Sequence, residues 1–320
     1  MRKINLIAIL VVLTLIFSGC MASPPDSLIR QDAEDTILIS ANTDQLEVDT
    51  FVAPLYFRYE NTAYLAPEER LIHVVRNEPP EKALVEALIQ GPSVTASALS
   101  PLFPPGTQVL SVTAQGDTLF VTFNEALLSR YSDEPKDLTG GNWKVESPLR
   151  RQLCMDSLTA TLTEMGLCAK VQVLVYRENT QTTSMRLPKG YFDGTENDEL
   201  VSFLTRNEDT LLTPHNAAKV LLNAWLTQDW DNLYAITMKE NRPGAQEAIQ
   251  AYSTGRVLTG FILSPGNVSS DGKTAILTAE LTFIGQSTDA EPIRYPIRLS
   301  RDGGIWRMKY DHLIALMNQN

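Results

Sequence analysis

Glu68 and Glu69 stand side by side in a chain of 320 residues, and paired carboxylates are the equipment of glycan hydrolysis. Adjacent residues on a strand point to opposite faces, so these two do not converge on one bond. Asp193, Thr195, Asn197 and Glu199 alternate side-chain oxygens as a calcium loop does, but the glycine needed at the sixth position is absent. The segment reads as a solvated linker. The three histidines, His73, His215 and His312, share no ligand spacing, so no zinc site is expected. His73 reads as a strand residue, His215 as an exposed residue in the first turn of a helix, and His312 lies near the C-terminus. There is no Gly-x-Ser-x-Gly elbow and no Gly-x-x-x-x-Gly-Lys phosphate loop. No catalytic residue, metal or cofactor is therefore expected, and the chain reads as a non-enzyme.

The cysteines divide into Cys20 and the pair Cys154 and Cys168. Cys154 falls early in a predicted helix ending near Met165, and Cys168 opens the strand that follows. At 1.5 Å rise per residue the helix carries Cys154 roughly 15 Å from that strand, beyond the roughly 7 Å between Cα atoms that a disulfide tolerates. Two buried thiols are predicted. Cys20 is different in kind. Arg2 and Lys3 precede an apolar run from Ile4 to Phe17, shorter than the roughly 20 residues of a spanning helix. Ser18 and Gly19 then place two small side chains directly before Cys20. This resembles the lipobox of bacterial lipoproteins, although Phe17 stands where that motif has an aliphatic residue. The resemblance implies a signal peptide over 1–19, diacylation of the Cys20 thiol (palmitate-type chains) and anchoring at the extracytoplasmic face of the cell membrane. Two or three acyl chains, at roughly 0.8 kcal/mol per buried CH2, hold a protein on a bilayer where one does not.

From Met21 to about Ala53 the chain carries seven carboxylates, from Asp26 to Asp49, against the single Arg30. Such a segment cannot bury enough apolar surface to offset its ordering entropy, so residues 20–53 read as a flexible tether with a reach of roughly 30 Å. Ile37, Leu38 and Ile39 hint at a short strand within it. The formal charge of the whole chain is −11, and loss of Arg2 and Lys3 makes it two units more negative. That balance excludes nucleic acid, which requires clustered Lys and Arg.

The remaining length suits two domains of ordinary size. In the first, Leu55 to Phe57 reads as a strand, the polar Pro67 to Arg70 as a break, and Leu71 to Val75 as a second strand or helix start. Pro79 and Pro80 open a helix with Leu84, Val85, Leu88 and Ile89 on one stripe, stopped by Gly91 and Pro92. Val109 to Ala114 and Leu119 to Phe123 form a hairpin through Gln115, Gly116 and Asp117. A long loop over Asn124 to Ser147, a helix over Leu149 to Met165 and a strand through Val171, Val173 and Val175 complete the unit.

Several of these pieces together resemble the GerMN domain, named for a spore-germination lipoprotein of endospore formers. They are Leu55-Tyr56-Phe57, Pro67-Glu68-Glu69-Arg70, the helix from Glu81 ending in Gly91-Pro92, Leu102 to Pro105 before Gly106-Thr107, and Val121 to Asn124 followed by an acidic residue. The resemblance implies a module of ring-building-motif type, an α/β sandwich over 54–177, with no catalytic residues to carry over.

A polar stretch over 178–212 reads as a linker. Thr213 caps and Pro214 opens a helix with Ala217, Ala218, Leu221, Leu222 and Trp225 on one side. A shorter helix carries Trp230, Leu233, Tyr234 and Met238, and Trp225 and Trp230 read as core anchors rather than sugar platforms. The pattern then alternates over Ala275 to Phe283 and Ile293 to Leu299, and Asp302-Gly303-Gly304 turns into Ile305 to Tyr310. Helices followed by an antiparallel sheet give an α+β domain over 213–320. Ala218 to Leu233 and Ile305 to Met308 resemble the opening and the last strand of NTF2-like domains, which implies a cone whose mouth takes a small ligand or a partner.

The expectation is an α+β, membrane-anchored envelope lipoprotein that docks envelope proteins or peptidoglycan in sporulation, germination or cell-wall maintenance. The alternative is an extracytoplasmic sensor of a small ligand or peptidoglycan fragment through the C-terminal domain. The pattern leaves the oligomeric state open.

Overall fold

Apolar side chains at every second position make Val48–Tyr59 a strand, β1, which turns through Glu60 to Tyr64 into β2, Leu65–Val75. The computed structural model describes residues 48–135, 142–177, 184–285 and 293–318, and all of them fall within a single compact unit, Glu47–Asn320. The two strands pair antiparallel without a register break, from Val48 opposite Val75 to Arg58 opposite Leu65. β1 thus begins before residue 54, inside the segment read as tether. The polar Pro67 to Arg70 is not a break between two elements either: it lies within β2. Alternation explains it, because Ile72 and Val74 are buried and Glu69, Leu71 and His73 face outward.

Two prolines at its start and a glycine at its end delimit helix α1, Pro80–Gln90, which buries Leu84, Val85 and Leu88. A two-residue strand, β3 (Leu99–Ser100), pairs with the end of β1. The predicted hairpin is present as β4, Val109–Gln115, and β5, Thr118–Phe123. After a 3-10 turn over Glu125–Leu128 comes helix α2, Trp143–Glu164, six residues longer at its start than expected. The misreading rests on Pro148, which looks like a first-turn proline but sits inside the helix. β6, Lys170–Val175, then runs parallel to β5, so α2 is the crossover of a β-α-β unit.

α2 also finishes the sheet of β1. The Thr161 Oγ1 accepts from the Tyr56 N–H at 3.1 Å, and the Ser157 hydroxyl donates to the Tyr56 carbonyl at 2.6 Å. Both backbone groups on that edge are buried and satisfied by hydroxyls of the helix, which removes a cost of roughly 1–3 kcal/mol per orphaned group.

Residues 184–212 are ordered rather than a free linker. β7, Met185–Arg186, adds to β6; helix α3, Gly190–Asp193, packs on α2; Leu187, Tyr191, Leu211 and Leu212 are buried. Backbone pairing does the work: Val171 and Leu204 exchange N–H···O bonds of 2.9 and 2.8 Å, and the Leu212 N–H donates to the Leu65 carbonyl at 2.7 Å.

The C-terminal half opens with α4, Pro214–Leu226, capped by the Thr213 hydroxyl, which accepts from the Asn216 N–H at 3.2 Å. Helices α5, Trp230–Ile236, and α6, Ala245–Thr254, follow. The antiparallel sheet has the order β12-β11-β10-β8, with the two-residue β9 (Asn267–Val268) beside β10. Its strands are β8, Leu258–Leu263, which alternation did not reveal, then β10, Thr274–Phe283, β11, Ile293–Asp302, and β12, Ile305–Arg307. β12 is shorter than the expected strand, and the chain ends in an unexpected helix, α7, Tyr310–Asn318. Leu313, Leu316 and Met317 form its buried stripe. Helices first and an antiparallel sheet after them fit the expected α+β class.

Candidate functional site

β2 is the outermost strand of its sheet, whose order is β2-β1-β3. Its backbone direction is fixed at Leu65, whose carbonyl points outward to the Leu212 N–H. With no register break, residues 67, 69, 71, 73 and 75 turn their backbone groups the same way. Pro67 occupies an outward position, as a strand proline must. From Glu68 to Val75 no strand lies beside this edge among the described residues. On the face above it Val52 and Leu71 sit directly opposite each other and are 55% and 52% exposed. Thr50 and His73 flank them on one side, Pro54 and Glu69 on the other. An open edge beside an apolar pair is a template for another chain.

The residues that hinted at chemistry are occupied structurally. The Glu68 carboxylate holds Arg70 at 2.7 Å and accepts from the Ser93 N–H, while Glu69 is exposed, as the alternation of a strand requires. Among the described residues no three His, Cys, Asp or Glu groups cluster to hold a metal. His73 and His312 are exposed; His215 is half-buried, not exposed as expected, because the first turn of α4 rests on the chain before it. The Asp193 carboxylate accepts from the Thr195 N–H and hydroxyl, Asn197 from the Glu199 N–H, and Glu199 pairs with Lys189, so these oxygens fold a turn. Trp225 is a core anchor at 1% exposure with its indole N–H on the Arg256 carbonyl at 3.0 Å, and the half-buried Trp230 packs near Tyr252. Cys154 and Cys168 are both free. Cys154 is buried and burial pushes its thiol far up, but Cys168, at the surface end of the α2–β6 connection, is only half-buried. Cys20 and Ile37 to Ile39 lie outside the described residues.

One polar constellation escaped the sequence reading. Arg58, in the apolar run of β1, is 4% exposed and binds Glu146 through two guanidinium nitrogens and the Thr62 carbonyl through Nε at 2.9 Å. Arg150 bridges onward from Glu146 to Asp133, which it grips through two nitrogens at 2.7 and 2.9 Å. Burial would raise the Glu146 carboxyl, but the hydrogen bonds from Arg58 and Arg150 outweigh it and hold the group down; Arg150 likewise holds Asp133 down. The network borders a depression of about 430 Å3 that Phe103 and Tyr131 also line. Both arginines there are already bound to carboxylates or a carbonyl, so the arrangement braces α2 against β1. An arginine in the middle of Leu-Tyr-Phe-Arg-Tyr was its signal.

The two halves meet along β2. Gly304 approaches the Pro67 carbonyl, Arg307 lies 5.6 Å from the Tyr59 ring centroid, and Lys239 reaches the Ser97 hydroxyl at 3.5 Å. Glu60 faces Arg307 and Lys239; burial raises its carboxyl despite both cations. The C-terminal half therefore covers the start of β2 and leaves its other end open.

No curated protein matches the chain. Among solved structures, a Clostridium perfringens chain described as a lipoprotein is 19% identical, covering 49% of this chain and 87% of that one, at a TM-score of 0.28. The tandem GerMN domains of the sporulation protein GerM from Bacillus subtilis are 17% identical, covering 53% and 50% respectively, at 0.31. The first GerMN domain of that protein is 15% identical, covering 49% and 98%, also at 0.31. The family model that matches is Germane, described as sporulation and spore germination, over residues 54–178. Residues 54–178, which bear the open β2 edge, match the sporulation and spore germination family model, as the GerMN-like pieces of the sequence led one to expect.

Proposed function

We propose that this is a non-enzymatic lipoprotein, held by acyl chains on Cys20 at the outer face of the membrane, that docks protein partners through the open edge of β2 in sporulation or germination. The observation that carries the reading is the outward backbone of residues 69 to 75 beside the exposed Val52 and Leu71, in a domain of a sporulation and germination family. Strand addition supplies affinity from main-chain hydrogen bonds, and the apolar pair supplies register. The signal segment and Ser18-Gly19-Cys20 support the anchor, and no described helix is long and apolar enough to cross a membrane. Arg58, Glu146, Arg150 and Asp133 of the first domain are engaged in bracing it, which favours docking over catalysis.

The test is complementation of a deletion strain. His73→Pro removes one outward N–H without touching the β1 ladder, and Cys20→Ala removes the anchor. The deletion is expected to impair sporulation, germination or the wall, and neither variant is expected to restore it, although both accumulate as folded protein. Normal sporulation and envelope integrity in the deletion strain overturn the reading, as does release of reducing ends from purified peptidoglycan by the protein.

A further inference from the structure

The space between the C-terminal sheet and its helices, where a cone-shaped domain would open a mouth, is filled. Trp225, Phe283 and Tyr252 pack there, and the void beside Trp306 and Met308 measures about 10 Å3. That is room for about one water molecule, too small for any metabolite. A different recess, of about 270 Å3, opens between β11 and α7. Ile276, Pro296, Met308 and Leu316 line it, and Arg298 and His312 stand among them.

The recess exists because β12 is short. β12 pairs with Ser300 to Asp302, so among the described residues β11 from Arg294 to Leu299 has no strand on that side, and α7 borders the gap instead. A strand does not complete it. The Arg301 N–H donates to Lys273, across from β11, and the register to β10 is unbroken, so residues 299, 297 and 295 face β10 and residue 296 faces the gap. That residue is proline, which offers no N–H to an incoming strand. A compact ligand fits where a peptide strand does not.

Charge defines the ligand's other end. Arg294 is held by Glu280 at 2.8 Å, but Arg298, four residues on and beside Ile276, is exposed and has no acidic partner among the described residues. An unneutralised arginine next to an apolar floor, in a chain of net charge −11, selects an anion with an apolar body. The volume lies just under the roughly 300–1,000 Å3 of ligand pockets, which limits that body to metabolite size.

We infer that the β11–α7 recess binds a small amphipathic anion, its hydrocarbon against Ile276, Met308 and Leu316 and its carboxylate or phosphate head at Arg298. The inference stands apart from docking at β2, and its failure leaves that reading untouched.

The experiment is isothermal titration calorimetry at neutral pH on the chain from Met21 onward, which keeps the whole unit Glu47–Asn320. The probes are octanoate, octyl phosphate, octanol and octylammonium. Both octyl anions are expected to bind, and octanol and octylammonium to bind at least tenfold more weakly. The tighter of the two anions identifies the head group. Arg298→Gln is expected to weaken the anions about tenfold while leaving octanol unchanged. Ala315→Trp, at an exposed position lining the recess, is expected to abolish all binding with the melting temperature kept. Absence of binding by both anions overturns the inference. So does octylammonium binding as tightly as octanoate, or affinity unchanged in both folded variants.

Discussion

Gly303 and Gly304 form a matched pair in which one substitution tests the contact between the two halves of the protein. Both sit at positive φ, +55° and +88°. Alanine in the left-handed region costs roughly 1–2 kcal/mol at either position. A Cβ at Gly303 meets nothing within 4 Å, whereas one at Gly304 stands 2.9 Å from the Pro67 carbonyl oxygen. That oxygen belongs to the backbone of β2 and cannot swing aside, so the halves must separate by a few tenths of an ångström. Overpacking of this kind adds roughly 1–3 kcal/mol. Gly303→Ala is therefore expected to cost about 1–2 kcal/mol and Gly304→Ala about 2–5. In urea unfolding followed by tryptophan fluorescence, the midpoint of Gly304→Ala should fall well below that of Gly303→Ala at an equal slope. Calorimetry should separate the two melting temperatures by about 2–4 °C for each kcal/mol of difference. Equal midpoints would refute the reasoning, because they would mean that the approach of Gly304 to Pro67 holds nothing together.

Glu60 has a carboxyl raised above 4.5 by burial, so the folded state binds its proton more tightly than the unfolded chain, and stability falls as pH rises through that raised value. Glu60→Gln should be more stable than the parent at pH 7, with the advantage vanishing below about pH 4.5 in a series of urea midpoints. Arg58→Met should cost about 3 kcal/mol by chemical denaturation, the low end for a broken buried pair, since Glu146 keeps Arg150 as a partner. In the native protein a thiol reagent should modify Cys168 slowly and leave Cys154 untouched, and mass spectrometry without reductant should find no crosslink between them.

Legibility followed the range over which each element is specified. The hairpin at Gly116, helix α1 between its prolines and Gly91, and the Thr213 cap of α4 are local devices, and each folded where its residues stood in the sequence. Trp225 was readable as core because its stripe repeats with the helical period. The parallel pairing of β5 with β6 was not, since no local signal says which strands become neighbours across a crossover. Nor was α7, whose stripe of Leu313, Leu316 and Met317 spans barely two turns.

The stretch read as a linker shows why composition misled. Residues 184–212 are polar because their side chains face water, yet what fastens them is backbone. Lys189 and Gly190 donate to Glu199 and Asn197, Val171 and Leu204 pair in both directions, and Leu212 donates to Leu65. Main-chain donors and acceptors are the same for every residue, so such pairing leaves no mark in side-chain chemistry. The consequence reaches the candidate site. By binding the Leu65 carbonyl, Leu212 occupies the first outward position of β2, and Gly304 closes on Pro67 at the second. The available edge therefore starts only at residue 69, where the exposed apolar pair also lies, and the segment that looked like a spacer is what sets the register at which a partner strand can begin.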